Sequence, residues 1–226
     1  MITLTNIEKT YKQFGTETHA LKQADLTIRD GEILAIMGVS GAGKSTLLNI
    51  IGCIDAPTAG TYLYQTTETD PVAIHELSRK DRNQFRKEHI GYVHQQFALI
   101  EDYTVYENIE LPLIARGIPK KERKEKVTAI LTEFNILPEA GKLPSRISGG
   151  QQQRCAIARA VVAGADLILA DEPTGALDHA TGQEIMEYFL KLKEEGKTVI
   201  IVTHDQSVAE QSDRVVYIRD GVIADA

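Results

Sequence analysis

The chain has no tryptophan and only two cysteines, Cys53 and Cys155, among its 226 residues. Neither cysteine has the sequence spacing of a metal site or a redox pair, so the sequence favours two buried free thiols in a reducing cytosol. Basic residues are also in the minority, with 25 lysines and arginines against 32 aspartates and glutamates and a net charge of −7. This balance gives no electrostatic reason to expect tight, sequence-independent binding to nucleic acid.

Long apolar runs are absent as well. No stretch reaches the roughly 18 residues that a membrane span requires, and the N-terminal segment lacks the apolar core of a signal peptide. We therefore expect that the chain alone neither crosses a membrane nor leaves the cell. Its length and its ordinary content of apolar and charged residues fit one large domain or a domain that carries an insertion.

Short apolar runs rich in β-branched residues recur at positions 33–37, 167–170 and 199–203. Amphipathic segments separate these runs, which predicts strands buried on both faces of a largely parallel sheet. Near the N-terminus apolar and polar residues alternate, as is typical of half-exposed antiparallel strands. Asp220 and Gly221 lie between two apolar runs and predict a tight hairpin at the C-terminal end. The sequence therefore predicts a mixed α/β fold.

The middle of the chain differs, because no strand signal is present from about residue 104 to residue 165. A helix is predicted to begin at Pro119, with a charged run on its solvent-exposed face and apolar residues on the other. An all-helical insertion therefore separates the early strands from the later ones. The apolar residues at helical spacing are Val127, Ile130, Leu131 and Phe134.

The 33–37 run leads into the sequence GVSGAGKST, which satisfies the Walker A pattern in the strand, loop and helix context that the pattern requires. Glycines let the backbone amides converge on a phosphate, and the N-terminus of the next helix adds partial positive charge. We expect Lys44 to reach the β- and γ-phosphates and the Ser45 hydroxyl to bind magnesium. The loop alone leaves kinases, GTPases, motor ATPases and transport ATPases open. The residues expected to contact the nucleotide are Gly38, Ser40, Gly41, Ala42, Gly43, Lys44, Ser45 and Thr46.

Two other predicted strands also end in polar residues. Asp171 and Glu172 follow the 167–170 strand at its carboxyl end, where doubly wound sheets bind their ligands. We expect Asp171 to hold magnesium and Glu172 to orient or deprotonate the attacking water. His204 follows the 199–203 strand at the same edge, and its neutral imidazole is suited to hydrogen-bond the γ-phosphate or the attacking water.

The sequence ISGGQQQR precedes a helical segment, which Ser148 is suited to cap while the glycines expose the first amides. With this motif the whole chain resembles the nucleotide-binding subunits of ATP-binding cassette (ABC) transporters, whose signature reads LSGGQ. The resemblance implies an α/β P-loop NTPase with a mostly parallel core sheet, an N-terminal antiparallel β subdomain and an inserted all-helical subdomain. The implied divisions of this single domain, residues 1–226, are a catalytic core at about 1–95 and 165–226 and a helical subdomain at about 96–164.

The resemblance also implies roles that spacing alone does not indicate. Tyr11 matches the aromatic residue that stacks on adenine, and Gln95 matches the glutamine that contacts magnesium and the attacking water and links the site to a membrane partner. The signature matches residues that grip the γ-phosphate of ATP bound to the opposite subunit, which implies a homodimer around two nucleotides. Asp178 matches the loop that crosses this dimer interface. The signature residues are Ser148, Gly149, Gly150 and Gln151.

Three positions depart from the common family pattern, namely Val39, His94 and Ile147, but none removes a charged or phosphate-binding group. We therefore expect hydrolysis of Mg-ATP. The stretches IGCIDAPTAGTY and LADEPTGALD are similar to the branch that includes macrolide export, lipoprotein release and peptide-antibiotic export. The expected partner is a separate integral membrane permease, with no nucleic acid. The expected location is cytoplasmic, peripheral on the inner face of the cell membrane.

Three alternatives stay open. A soluble cassette ATPase that remodels DNA or ribosomes usually carries long coiled coils or tandem cassettes, and neither is visible here. A P-loop kinase or nucleotide switch is disfavoured by the ordered signature, acidic pair and histidine. A cassette that senses peptides or transmits force, as in cell division, has the same motifs, and the sequence does not separate it from an exporter because substrate choice lies in the permease.

Overall fold

The computed structural model describes residues 1–13, 15–65 and 70–225. In these residues the strands form two sheets, one of four strands in the order β2-β1-β4-β5 and one of six in the order β10-β9-β3-β8-β7-β6. The strands are β1 (Ile2–Gln13), β2 (Thr16–Ile28), β3 (Ile33–Met37), β4 (Ala59–Tyr64), β5 (Val72–Ala73), β6 (Ile90–Val93), β7 (Leu167–Asp171), β8 (Thr198–Val202), β9 (Arg214–Arg219) and β10 (Val222–Asp225).

The four-stranded sheet is antiparallel throughout. Ile2 pairs with Ile28 and Leu4 with Leu26, and all four side chains are buried. The intervening polar residues face the other side, because successive side chains of a strand alternate between the two faces. The predicted half-exposed antiparallel sheet at the N-terminus is confirmed.

The six-stranded sheet is parallel from β6 through β7, β8 and β3 to β9, and β10 is antiparallel to β9. The β9–β10 connection consists of Asp220 at φ 51° and Gly221 at φ 81°, the positive angles that a tight two-residue hairpin requires. Both the parallel core sheet and the terminal hairpin are as predicted from the sequence.

Helices cover the sheets and connect the parallel strands. The segment between β6 and β7, all of which is described, contains helices and no strand, as predicted. Helix α2 was not foreseen, since it is highly charged and Phe85 is its one buried residue. The helices are α1 (Lys44–Ile51), α2 (Arg79–His89), α3 (Val105–Ala115), α4 (Lys120–Glu133), α5 (Gly149–Val161), α6 (His179–Glu194) and α7 (Gln206–Glu210). Among the described residues, no helix combines the length and apolar character needed to span a membrane.

Apolar clusters fill both faces of the parallel sheet. One cluster contains Ile200 and lies between this sheet, α1 and the antiparallel sheet. The other contains Ile201 and lies against the helices from α3 to α6. Because neighbouring residues of one strand enter opposite clusters, β3 is apolar at every position, as are residues 167–170 of β7 and 199–202 of β8.

The two cysteines are free and buried, one in each large cluster. Burial raises the pKa of both thiols to about 12, so both stay protonated at neutral pH. The prediction of buried free thiols is therefore confirmed. Cys53 follows the end of α1 and has φ 55°, so it lies in a turn.

Asn108 of α3 is buried and fixes the segment that precedes this helix. Its Nδ2 donates to the carbonyl oxygens of Ile100, Tyr103 and Thr104 at 3.0–3.1 Å, and its Oδ1 accepts from the Ile100 amide at 2.8 Å. We expect Asn108→Ala to lower the free energy of unfolding by about 2 kcal/mol, because several part-buried backbone groups lose their partner. Urea unfolding followed by circular dichroism measures this, with the part-exposed Asn83→Ala as a control that changes stability by less than about 0.5 kcal/mol. An Asn108→Ala loss no larger than the control's would contradict the expectation.

Candidate functional site

The glycine-rich loop joins β3 to α1 at the carboxyl edge of the parallel sheet. Gly43 is the N-cap of α1 at φ 108°, and no side chain caps the first turn, so the first amides of the helix are open to an anion. A Cβ on Gly43 would lie 2.5 Å from the carbonyl oxygen of Ala20. Gly41, at φ 79°, has open space where a Cβ would be. The close approach of β2 therefore makes glycine necessary at position 43.

The two glycines make a matched pair for substitution. Both variants adopt a positive φ that costs about 1 kcal/mol for alanine, but only Gly43→Ala also clashes with backbone. We expect Gly43→Ala to lower the free energy of unfolding by at least about 1 kcal/mol more than Gly41→Ala. Thermal or urea unfolding of both variants checks this, and equal losses would show that the contact with Ala20 is unimportant.

The loop opens onto a cavity of about 570 Å³ that gathers most of the predicted site residues. Strands β6, β7 and β8 end at this cavity, so the residues at or just after these ends, Gln95, Asp171, Glu172 and His204, line it together with the loop. Among the predicted site residues, the structure thus brings together positions up to 166 apart in the sequence, between Gly38 and His204. The loop residues that line the cavity are Gly38, Val39, Ser40, Gly41, Gly43, Lys44, Ser45 and Thr46.

The Lys44 ammonium folds back over the loop. Its Nζ donates to the carbonyl oxygens of Gly38 at 2.7 Å and Val39 at 3.0 Å. Its positive charge therefore lies at the loop, and an anionic ligand bound there would contact the ammonium and the loop amides together. Ala42 differs from the other predicted loop residues because its side chain is buried in the apolar core.

Ser45 and Asp171 approach each other from opposite sides of the cavity, with Ser45 Oγ donating to Asp171 Oδ2 at 3.3 Å. Burial raises the pKa of Asp171, and the Ser45 hydrogen bond partly opposes that rise. Hydroxyl and carboxylate oxygens are the hard donors that magnesium prefers. No cluster of three or more histidine, cysteine or acidic side chains suited to a metal occurs in the described part of the chain. Magnesium here would therefore need phosphate oxygens and water to complete its ligands, as is usual for this ion.

Glu172 and His204 form a pair at the ends of β7 and β8. Glu172 Oε1 lies 2.8 Å from His204 Nδ1, and the glutamate side chain is 13% exposed against 72% for the histidine. Glu172 has φ 48°, a strained value for a residue with a Cβ, and its amide donates to the Val202 carbonyl at 2.8 Å. The hydrogen bond to Val202 and the contact with His204 together hold the Glu172 carboxylate at the cavity wall.

Four residues that line the cavity were not among the predicted site residues: Val39 of the loop, and Thr18, His19 and Ala20 of β2. No motif in the sequence marks the three β2 residues. They lie at the cavity because β2 pairs with β1, which places Thr18 opposite Tyr11. Tyr11 is exposed beside this part of the cavity, and its pKa is raised, chiefly by partial burial of the hydroxyl end. The side wall of the cavity is therefore built from the antiparallel sheet.

The signature residues lie elsewhere. Ser148 caps α5 as predicted: its Oγ accepts from the Gln151 amide at 3.3 Å, and Gln151 Oε1 accepts from the Ser148 amide at 2.9 Å. Asp178 caps α6 through the Thr181 amide at 3.0 Å. Neither Asp178 nor any of Ser148, Gly149, Gly150 and Gln151 is among the described residues that line the cavity. The cavity and the signature residues thus lie on separate surfaces of the chain.

The chain is similar to known transport proteins over its whole length. A family model described as "ABC transporter" matches residues 21–175. The chain is 48% identical to the uncharacterized ABC transporter ATP-binding protein YvrO of Bacillus subtilis over 98% of this chain and 94% of that protein. It is 43% identical to the macrolide export ATP-binding/permease protein MacB of Agrobacterium fabrum, covering 99% of this chain but only 34% of that protein. The chain therefore spans about a third of the length of this larger relative.

Solved structures of a related cassette have the same fold. The chain matches the dimeric structure of MJ0796, described as a bacterial ABC transporter cassette, with a TM-score of 0.89 and 45% identity over 99% of this chain and 96% of that one. It matches a second dimeric MJ0796 structure, a post-hydrolysis state bound to ADP and Pi, with a TM-score of 0.89 and 42% identity over 100% of this chain and 98% of that one. The related MJ0796 protein is from Methanocaldococcus jannaschii.

Proposed function

The chain belongs to the ABC transporter family and is an ATPase of that family, and we propose that it hydrolyses Mg-ATP as a head-to-tail homodimer that powers an integral membrane permease. The observation that carries this proposal is the single cavity that gathers the glycine-rich loop, Lys44, Asp171, Glu172 and His204. An ATPase needs a phosphate cradle, an acid–base group and charge stabilisation within reach of one γ-phosphate, and this cavity contains all three.

Each group has a separate task in the proposed reaction. The loop amides and Lys44 bind the triphosphate. Ser45, Asp171 and Gln95 would hold magnesium, which when bound supplies positive charge that neutralises the phosphate oxygens. Glu172 accepts a proton from the attacking water, while His204 fixes the carboxylate through Nδ1 and lines the same cavity.

A second copy of the chain is proposed to complete each site. Gly149 and Gly150 begin the signature helix α5 and are not among the described residues that line the chain's own cavity, so their amides are proposed to bind the γ-phosphate at another molecule's site. The dimeric solved structures of the related cassette support this arrangement. In the proposed dimer, Asp178 lies at the interface. The two hydrogen bonds between Ser148 and Gln151 fix the backbone at the start of the signature helix.

The permease is proposed to dock on the helical segment at about 96–164, which we regard as a subdomain of the single 1–226 domain. A groove of about 230 Å³ lies between α2, α3 and α5 and is lined by apolar side chains and arginines. Arg159 in this groove donates to the Phe97 carbonyl at 2.9 Å and the Ala98 carbonyl at 2.7 Å, immediately after Gln95. Movement of a docked partner would therefore reach the cavity through Gln95.

The transported molecule is proposed to be a macrolide, peptide or lipoprotein that the permease exports or extracts. The similarity to MacB, in whose name ATP-binding and permease functions are combined, supports this branch. We place the cassette in the cytoplasm, on the inner face of the membrane through its permease. Affinity purification from gently solubilised membranes tests this: recovery of a multi-span permease is expected, and recovery of only ribosomal or DNA-binding proteins would contradict it.

Removal of magnesium is expected to abolish turnover. The cavity supplies one serine and one carboxylate close together, and this set does not neutralise a triphosphate by itself. We expect EDTA to reduce phosphate release from ATP at least about 100-fold and added magnesium to restore it. A malachite-green assay measures the release, with sodium chloride at equal ionic strength as the control. Unchanged hydrolysis in EDTA would contradict the proposed chemistry.

A further inference from the structure

A group of side chains behind the Tyr11 ring has no role in the site described above. The Lys9 ammonium lies 4.9 Å from the centroid of the ring. Lys9 Nζ also donates to Asp55 Oδ1 at 2.7 Å, and the Tyr11 hydroxyl donates to Asp55 Oδ2 at 3.0 Å. One carboxylate therefore binds both the lysine that covers the ring and the hydroxyl at the end of the ring.

This group is more buried than an ordinary surface ion pair. The Lys9 side chain is 12% exposed and the Asp55 side chain 32%, whereas Lys12 of the nearby Lys12–Glu17 pair is 74% exposed. Burial tends to raise the pKa of Asp55, but hydrogen bonds from Lys9, the Ala56 amide and Tyr11 outweigh it and lower the pKa. The carboxylate is therefore charged at neutral pH and holds the ammonium in place.

The loop that carries Asp55 is itself fixed from two sides. Lys9 Nζ donates to the Ala56 carbonyl at 2.8 Å, and Arg86 Nη1 of α2 donates to the Cys53 carbonyl at 3.1 Å. These bonds fix the position of Asp55, so Asp55 does not move with the Tyr11 side chain that it contacts. The Tyr11 ring is held at its edge and on one face, and it remains exposed beside the cavity wall formed by β2.

We propose that Lys9 and Asp55 are positioning residues that hold the Tyr11 ring as a platform for the adenine base of the nucleotide. This inference rests on the proposed nucleotide-binding function and on the adenine contact that the family resemblance implies for Tyr11. A cation on one face of an aromatic ring draws electron density toward itself, which favours stacking of an electron-rich base on the opposite face. Holding the ring in one orientation also removes the entropy cost of ordering it when the nucleotide binds.

Titration calorimetry with ADP tests the platform without ATP-dependent dimerisation. Lys9→Met keeps the length of the side chain and removes its charge, and we expect it to raise the Kd for ADP about fivefold. Inorganic tripolyphosphate, which has no adenine, should bind Lys9→Met as it binds the unmodified protein. Asp55→Asn should weaken ADP in the same direction, and the exposed Lys12→Met is the matched control that should leave both affinities unchanged.

A double-mutant cycle separates the platform from other causes. If Lys9 acts through the ring, Lys9→Met should cause no further loss of ADP affinity in a Tyr11→Ala background. Equal weakening of ADP and tripolyphosphate by Lys9→Met would overturn the inference, since the lysine would then act on the phosphate site or the fold. Unchanged ADP affinity in Lys9→Met, with weakened affinity in Tyr11→Ala, would overturn it and leave the proposed function intact. Unchanged affinity in Tyr11→Ala would overturn the adenine contact and the inference together.

Discussion

Glu172→Gln is expected to reduce ATP turnover at least about 100-fold while ATP still binds. Glutamine has nearly the same shape as glutamate, but its amide does not accept the proton of the attacking water. The phosphate loop and Lys44 are unchanged, so the affinity for ATP should stay within about twofold. Steady-state phosphate release measures the turnover, and equilibrium binding of a fluorescent ATP analogue measures the affinity.

The matched control for this variant is Glu187→Gln, which makes the same chemical change at an exposed position of α6. Its turnover should equal that of the unmodified protein. If Glu172→Gln hydrolyses ATP at the unmodified rate, Glu172 is not the base, and another group at the cavity must accept the proton.

Gly149→Asp is expected to reduce turnover about 100-fold, with no loss of ATP binding to the single chain. The new carboxylate would repel the γ-phosphate that the signature of one chain is proposed to meet on the other. Position 149 suits the test because a Cβ there meets only ordinary contacts, with Leu177 Cδ2 at 3.5 Å. At Gly150 a Cβ would lie 2.6 Å from Thr181 Cγ2, so a loss there would confuse packing with chemistry.

Gly141→Asp is the matched control, since Gly141 is exposed and has open space around its Cα. It adds the same charge at the approach to the signature helix and should leave turnover unchanged. Full activity in Gly149→Asp would mean that the signature does not meet the phosphate. Weakened ATP binding to the single chain would mean that the signature belongs to the chain's own nucleotide site.

The sequence was informative about the cavity because the motifs follow strands directly. Asp171 comes at the end of β7 and His204 comes shortly after β8, and parallel strands bring their carboxyl ends to one edge. The hairpin at Asp220 was equally predictable, because its positive backbone angles depend on two adjacent residues. Local chemistry and strand direction were sufficient in these places.

Other features depend on contacts between distant segments and gave no local signal. Helix α2 has one buried side chain, Phe85, so its pattern resembles a polar loop. The Arg159 bonds to the backbone after Gln95 join positions about 60 residues apart, 61 for Ala98 and 62 for Phe97. The wall at His19 and the inward direction of Ala42 follow from how the antiparallel sheet packs on the loop. Tertiary packing determines these features, and the spacing of residues in the sequence does not predict that packing.

The most direct test of the account is the mass of Glu172→Gln in solution, measured by analytical ultracentrifugation with Mg-ATP, with Mg-ADP and without nucleotide. We expect twice the chain mass of 25.0 kDa with Mg-ATP and the single-chain mass in the other two conditions. We also expect Glu172→Gln combined with Gly149→Asp to stay a single chain with Mg-ATP. A single-chain mass for Glu172→Gln at saturating Mg-ATP, or a dimer that forms equally well with the Gly149→Asp change, would contradict this expectation.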